Sequence, residues 1–179
     1  VSYTDGGGFD ESLTSAATGL VTPQNSDPTG SVTIVGSVTQ GDVLTADITT
    51  LADADGLGVL SYQWKADGTV IAGATTSTLT LSQSEVGKAI TVVVSYEDGG
   101  GFDGTKASEA TVAVLDVNDN PTGSVTISGT ASLGNELTAD IATLADADVL
   151  GGFNYQWKAA EEVIVGATSD TLTLSQYEV

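Results

Sequence analysis

The feature that most constrains this chain is a repeat with a period of 93 residues. Pro28–Ile34 returns as Pro121–Ile127, and Tyr62–Ala66 returns as Tyr155–Ala159. Val1–Asp10 reappears with a single substitution as Val94–Asp103. Every offset is 93, without a gap. Tandem copying multiplies length rather than chemistry, so it favours a scaffold or spacer over a catalyst. Three pieces follow: 1–27, the last part of one repeat plus a linker; 28–120, a complete repeat; and 121–179, the first five strands of the next. The third piece matches the complete repeat at roughly 40 of 59 positions, and only the counterpart of Gly87–Val93 is missing from two full periods. The end pieces are therefore complementary. A sandwich without its last strands leaves an unpaired edge and an open core, so residues 1–21 are expected to complete the 121–179 piece of another copy or to fold back onto their own.

Composition narrows the partners. Twenty-four acidic side chains against four basic ones give a formal charge of -20. Such a surface repels nucleic acid and anionic lipid, and it suits high salt or divalent cations. The chain has no Cys, His or Met. Disulfides, thiolate nucleophiles and a Ser-His-Asp triad are thereby excluded. No apolar run reaches membrane-spanning length, and any targeting signal is expected outside a chain that opens in mid-repeat.

The local pattern has period two, the mark of half-buried strands. Leu44, Ala46 and Ile48 alternate with polar residues, as do Leu60, Tyr62 and Trp64, and Leu79 and Leu81. Ile90, Val92, Val94 and Tyr96 form the longest run, with a first strand at Ser31–Val35 and a last at Ala110–Val114. One turn of helix is expected around Ser82–Val86. Seven or so strands per period predict an all-β, two-sheet sandwich. The third-strand tryptophans (Trp64, Trp157) and the Leu79–Val92 segment resemble the core strands of immunoglobulin-like domains. The expected fold class is therefore tandem immunoglobulin-like sandwiches without disulfides. Asp98–Gly104 and its copy Asp5–Asp10 read as hairpin loops, because no helix or Lys-Ser/Thr follows to bind phosphate.

Chemistry concentrates at the boundary Leu115-Asp116-Val117-Asn118-Asp119-Asn120-Pro121. Side-chain oxygens crowd a linker stiffened by proline, and calcium takes six to eight such ligands. The segment resembles the Asp-x-Asn-Asp-Asn linker of cadherins, and Ala52–Gly56 and Ala145–Asp148 resemble their Asp-x-Asp loop. That resemblance implies a calcium site at Asp116, Asn118, Asp119, Asn120, Asp146 and Asp148, with Glu85 joining from the preceding repeat. The first junction departs from it: Pro23–Asp27 aligns with Asp116–Asn120 but loses two carboxylates, leaving Asn25 and Asp27 with Asp53, Asp55 and Asp98 as a weaker set. Asn and Asp are also ordinary turn formers.

As a set, Pro28–Ile34, Leu51–Asp55, Tyr62–Ala66, Leu79–Gln83 and Val117–Pro121 resemble the tandem immunoglobulin-like extender repeats of large bacterial adhesins exported by type I secretion. The resemblance implies an extracellular, cell-surface role in adhesion or biofilm formation, with neighbouring repeats as partners and Ca2+ stiffening the linkers. No enzyme activity is expected, since a catalytic carboxylate pair has no need of tandem copies. Two alternatives stay open. One is a fibre or sheath subunit joined to other copies by strand exchange. The other is a carbohydrate- or protein-binding module using Phe9, Phe102 or Phe153.

Overall fold

The computed structural model describes residues 1–22 and 24–176. It contains fourteen strands and one 3-10 turn, and no helix among the described residues is long and apolar enough to cross a membrane. The chain is all-β, and its complete repeat is an immunoglobulin-like sandwich, as the period-two pattern predicts.

A short hairpin comes first, β1 (Ser2–Thr4) with β2 (Asp10–Ser12). The complete repeat then contributes β3 (Thr33–Val35), β4 (Val43–Asp47), β5 (Ser61–Ala66), β6 (Thr69–Val70), β7 (Thr78–Thr80), β8 (Ile90–Glu97) and β9 (Asp103–Ala107). One sheet has the order β3-β4-β7 and the facing one β6-β5-β8-β9, all pairs antiparallel. Thr-rich and Val-rich strands suit this pleated, half-buried setting. The core lies between the sheets: Leu44, Trp64, Ile90, Val92 and Val94 are wholly buried, with Val32, Leu51, Leu79 and Leu81 around them. The Trp64 indole N–H donates to the Thr76 carbonyl at 2.9 Å, so its one polar atom is satisfied inside the sandwich.

One boundary differs from the sequence expectation. The last strand is Asp103–Ala107, not Ala110–Val114, which supplies only isolated bridges to Val86 and Ala89 through Val114 and Ala113. The reason is the tightness of the Asp98–Phe102 turn. Asp98 Oδ1 accepts from the Gly100 and Phe102 N–H groups, and Gly101 takes a φ of 83°, so the chain returns at once beside β8. Of the three glycines there, one alone uses a positive φ. Gly104 serves a different purpose. A Cβ there would lie 2.3 Å from the Tyr96 ring, which rests across the bare backbone.

Residues 121–176 repeat the first sheet as β10 (Thr126–Gly129), β11 (Glu136–Asp140) and β14 (Thr171–Thr173), in the order β10-β11-β14. The second sheet is reduced to β12 (Lys158–Ala159) paired with β13 (Glu162–Val163).

Candidate functional site

The carboxylates that the sequence singles out lie at the poles of the sandwiches, where loops and linkers meet. At the first pole Asp53 and Asp55 come from the loop between β4 and β5, and Asp98 from the end of β8. Their ligand oxygens all lie within 4.8 Å of one another. The loop is tied from inside: Asp53 Oδ1 accepts from the Asp55 N–H at 3.0 Å, and the Gly99 N–H donates to the Asp55 carbonyl at 2.9 Å. The linker arrives on the same loop, with the Ser26 N–H donating to Asp55 Oδ2 at 2.7 Å. Asn25 and Asp27, on either side, are exposed.

Tyr96 forms the floor. Its hydroxyl donates to Asp53 Oδ2 at 2.8 Å, and the residue is buried. Burial, the hydrogen bond to Asp53 and the negative charges of Asp53 and Asp98 together push the phenol up to about 12. A neutral phenol is thus locked under a group of anions. Three carboxylates at this spacing repel one another in the absence of a counter-charge. They supply about half of the six to eight oxygens that calcium takes, and the donor set is a hard one.

The second junction has the same backbone design and a different periphery. The Asp119 N–H donates to Asp148 Oδ2 at 2.7 Å, matching Ser26 and Asp55 one repeat earlier, and the Asp148 N–H donates to Asp146 Oδ1 at 2.9 Å. Two glutamines of the complete repeat reach across. Gln40 Nε2 donates to Asp119 Oδ2 at 2.9 Å while its Oε1 accepts from the Val117 N–H at 3.1 Å. Gln83 Nε2 donates to Asp148 Oδ1 at 3.3 Å, and its buried Oε1 has no hydrogen-bond partner among the described residues. Asp116, Asn118 and Asn120 are exposed; the Asn118 side chain turns onto the Asp119 carbonyl at 2.9 Å.

The structure therefore brings together Asp53, Asp55 and Asp98 at one pole, and Asp119, Asp146 and Asp148 in sequence at the other. Only the first set forms a three-carboxylate cluster among the described residues. The copy of Asp98 within this chain is Asp5, on the β1–β2 hairpin. Glu85 is engaged within its own turn. Its carboxylate closes a capping box, with Oε2 accepting from the Ser82 N–H at 2.9 Å and from Ser82 Oγ at 2.7 Å. Burial acts to raise its pKa, but the hydrogen bonds from Ser82 and Ser84 outweigh that and hold it below the usual carboxylate value. Gln40 and Gln83 are the junction residues that sequence reasoning passes over. A neutral amide carries no charge signal, and Gln40 has no copy in the next repeat, where Leu133 stands.

No family model matches the chain, and no curated protein matches it. Among solved structures, it is similar to the three N-terminal domains of the bacteriophage RB49 Highly Immunogenic Outer Capsid protein (Hoc). The identity is 22% and the TM-score 0.33, over 81% of this chain and 48% of that one, so the chain spans about half the length of that structure.

Proposed function

We propose that the chain is an extender segment of a large extracellular bacterial adhesin, in which each sandwich adds a length of rod and cations stiffen the joints. The observation that carries this reading is the recurrence of one junction design. At both junctions the linker N–H, of Ser26 or of Asp119, lands on the second aspartate of an Asp-x-Asp loop at 2.7 Å. A device that sets the angle between neighbouring modules is what a spacer needs and a lone binding domain does not.

In this reading Ca2+ occupies the Asp53, Asp55 and Asp98 cluster, and at the second joint the carboxylates of Asp119, Asp146 and Asp148. The ion supplies positive charge that relieves carboxylate repulsion. The chain's own groups do the positioning: Tyr96 and the Asp98 turn orient the first cluster, and Gln40 and Gln83 orient the second.

Calcium titration tests this. Millimolar Ca2+ is expected to raise Tm and to lengthen the particle in small-angle scattering, and chelator is expected to reverse both. Asp98→Asn should remove the response of the first cluster, and Asp119→Ala or Asp146→Ala that of the second joint. Identical melting and scattering with Ca2+ and with chelator would overturn the stiffening mechanism.

A further inference from the structure

We propose that Gln40 and Gln83 form an amide clamp that holds the linker and the Asp146–Asp148 loop against the complete repeat without any cation. The inference concerns this joint alone and rests neither on calcium nor on the extender reading. It begins with the way the linker leaves the repeat. The Leu115 N–H donates to the Val38 carbonyl at 2.9 Å, and the Gln40 N–H donates to the Leu115 carbonyl at 2.9 Å. Thr39 and Leu115 are thus paired in parallel. At Gly41 this backbone ladder stops, because Gly41 takes a φ of 87° and its N–H turns to the Leu81 carbonyl at 2.9 Å. The Gln40 side chain supplies the rungs that the backbone no longer can. Its Oε1 accepts from the Val117 N–H at 3.1 Å, and its Nε2 donates to Asp119 Oδ2 at 2.9 Å.

The path continues into the next module and returns. The Asp119 N–H donates to Asp148 Oδ2 at 2.7 Å, and Gln83 Nε2 donates to Asp148 Oδ1 at 3.3 Å. Asp148 is therefore held by the linker on one oxygen and by the complete repeat on the other. Gln40 stands between β3 and β4, whereas Gln83 stands on the 3-10 turn after β7. One tether leaves a module free to rotate about it, but two separated tethers oppose both bending and twisting. Gln40, Gln83, Asp119 and Asp148 are all half-buried, and shielding from water strengthens an amide-to-carboxylate bond. Linked modules move relative to one another unless such contacts prevent it.

The two arms are unequal. Gln40 satisfies both of its amide atoms across the joint. Gln83 makes one long bond, and its buried Oε1 has no hydrogen-bond partner among the described residues, which offsets what the bond contributes. Gln40 is therefore the main arm. The second copy of the repeat shows what the loop does without it. Leu133 stands at the position of Gln40, yet Gly134 keeps a φ of 81° and its N–H donates to the Leu174 carbonyl at 2.8 Å, as Gly41 does to Leu81. Gln40→Leu thus removes the arm and leaves the loop folded.

Spin labels read the joint directly, since the chain has no cysteine of its own. Thr80→Cys on β7 and Thr173→Cys on β14 place one label on an exposed strand position of each module. The distance distribution between them is measured by pulsed dipolar spectroscopy on the full chain in chelator, so failure of the calcium reading leaves the comparison intact. Gln40→Leu should widen that distribution about twofold or more, because the modules regain the freedom that linked domains ordinarily have. Gln83→Ala should widen it less. Asp119→Asn keeps a carbonyl acceptor for Gln40 and loses the charge, so it should keep the width of the unsubstituted protein. A Gln40→Leu distribution as narrow as that of the unsubstituted protein would overturn the clamp. An Asp119→Asn distribution as broad as that of Gln40→Leu would overturn it too, since charge and not the amide bond would then hold the joint. Greater widening by Gln83→Ala than by Gln40→Leu would overturn the ranking of the arms.

Discussion

The pentapeptide Tyr-Gln-Trp-Lys-Ala occurs twice, at 62–66 and 155–159, with two structural outcomes. In the complete repeat it lies wholly within β5, paired along its length with β8. In the second copy only Lys158 and Ala159 are strand, held by the β12–β13 ribbon. The local contacts are the same in both. Gln63 and Gln156 each use Nε2 on the carbonyls of the following Trp and of Ile71 or Ile164, and each indole N–H donates twelve residues on, to Thr76 or Ser169. What differs is the neighbour. Without a β8 beside it, the backbone of 154–157 has no ladder, and a strand is defined by its partner as much as by its residues.

The largest expected effect tests that contrast. Trp64→Ala empties the centre of a closed core and should cost about 3–5 kcal/mol, whereas Trp157→Ala, beside an open groove, should cost less than half as much. Urea melts of the two variants measure the difference, and equal losses would mean that the second copy is as well packed as the first. Next comes Gly104→Ala. The added Cβ meets the Tyr96 ring, and the strain should cost about 1–3 kcal/mol, while Glu11→Ala in the copied position should leave stability within about 0.5 kcal/mol.

A smaller effect concerns Tyr96 and Tyr3. The Tyr96 phenol is raised from an ordinary value of 10.0 to about 12, so the folded state favours its neutral form. The stability it contributes is fully present below pH 10 and is lost as pH rises from 10 to 12. Tyr96→Phe should flatten that stretch of the stability profile, whereas Tyr3→Phe, on an exposed hairpin where a hydrogen bond to Glu11 also raises the phenol, should change it much less. The smallest effect is at the Ser82 cap. Ser82→Ala should cost about 1 kcal/mol. Because Glu85 is held below the ordinary carboxylate value of 4.5, its contribution is present above that pH and fades as pH falls through the folded value. Glu85→Gln should blunt the acid limb of the melting profile.

Much of the fold is legible in the sequence because the pattern of strands is local. Alternation at Leu44–Ile48 and Ile90–Tyr96, the tryptophan on the third strand and the turn at Ser82–Val86 all stand where residue spacing puts them. The last strand is not legible in this way. Ala110–Val114 has the composition of a strand, whereas Asp103–Ala107 has charges and a glycine and pairs only because the turn delivers it to β8. At the site, the Asp-x-Asp loops and the place of Asp98 are legible from the repeat. The opposite fates of Glu85 and Gln83 are not. They stand two residues apart on one 3-10 turn, and only the packed structure turns the carboxylate inward to cap it and the amide outward to Asp148.

The sequence by itself, through its 93-residue echo and its alternating strands, determined the module, its sandwich class and its acidic poles, since each is written in short-range spacing and in copied residues. Which carboxylates converge and which glutamines brace the joint were decided by tertiary structure. Those outcomes depend on contacts between strands and loops distant in sequence, which no local spacing encodes.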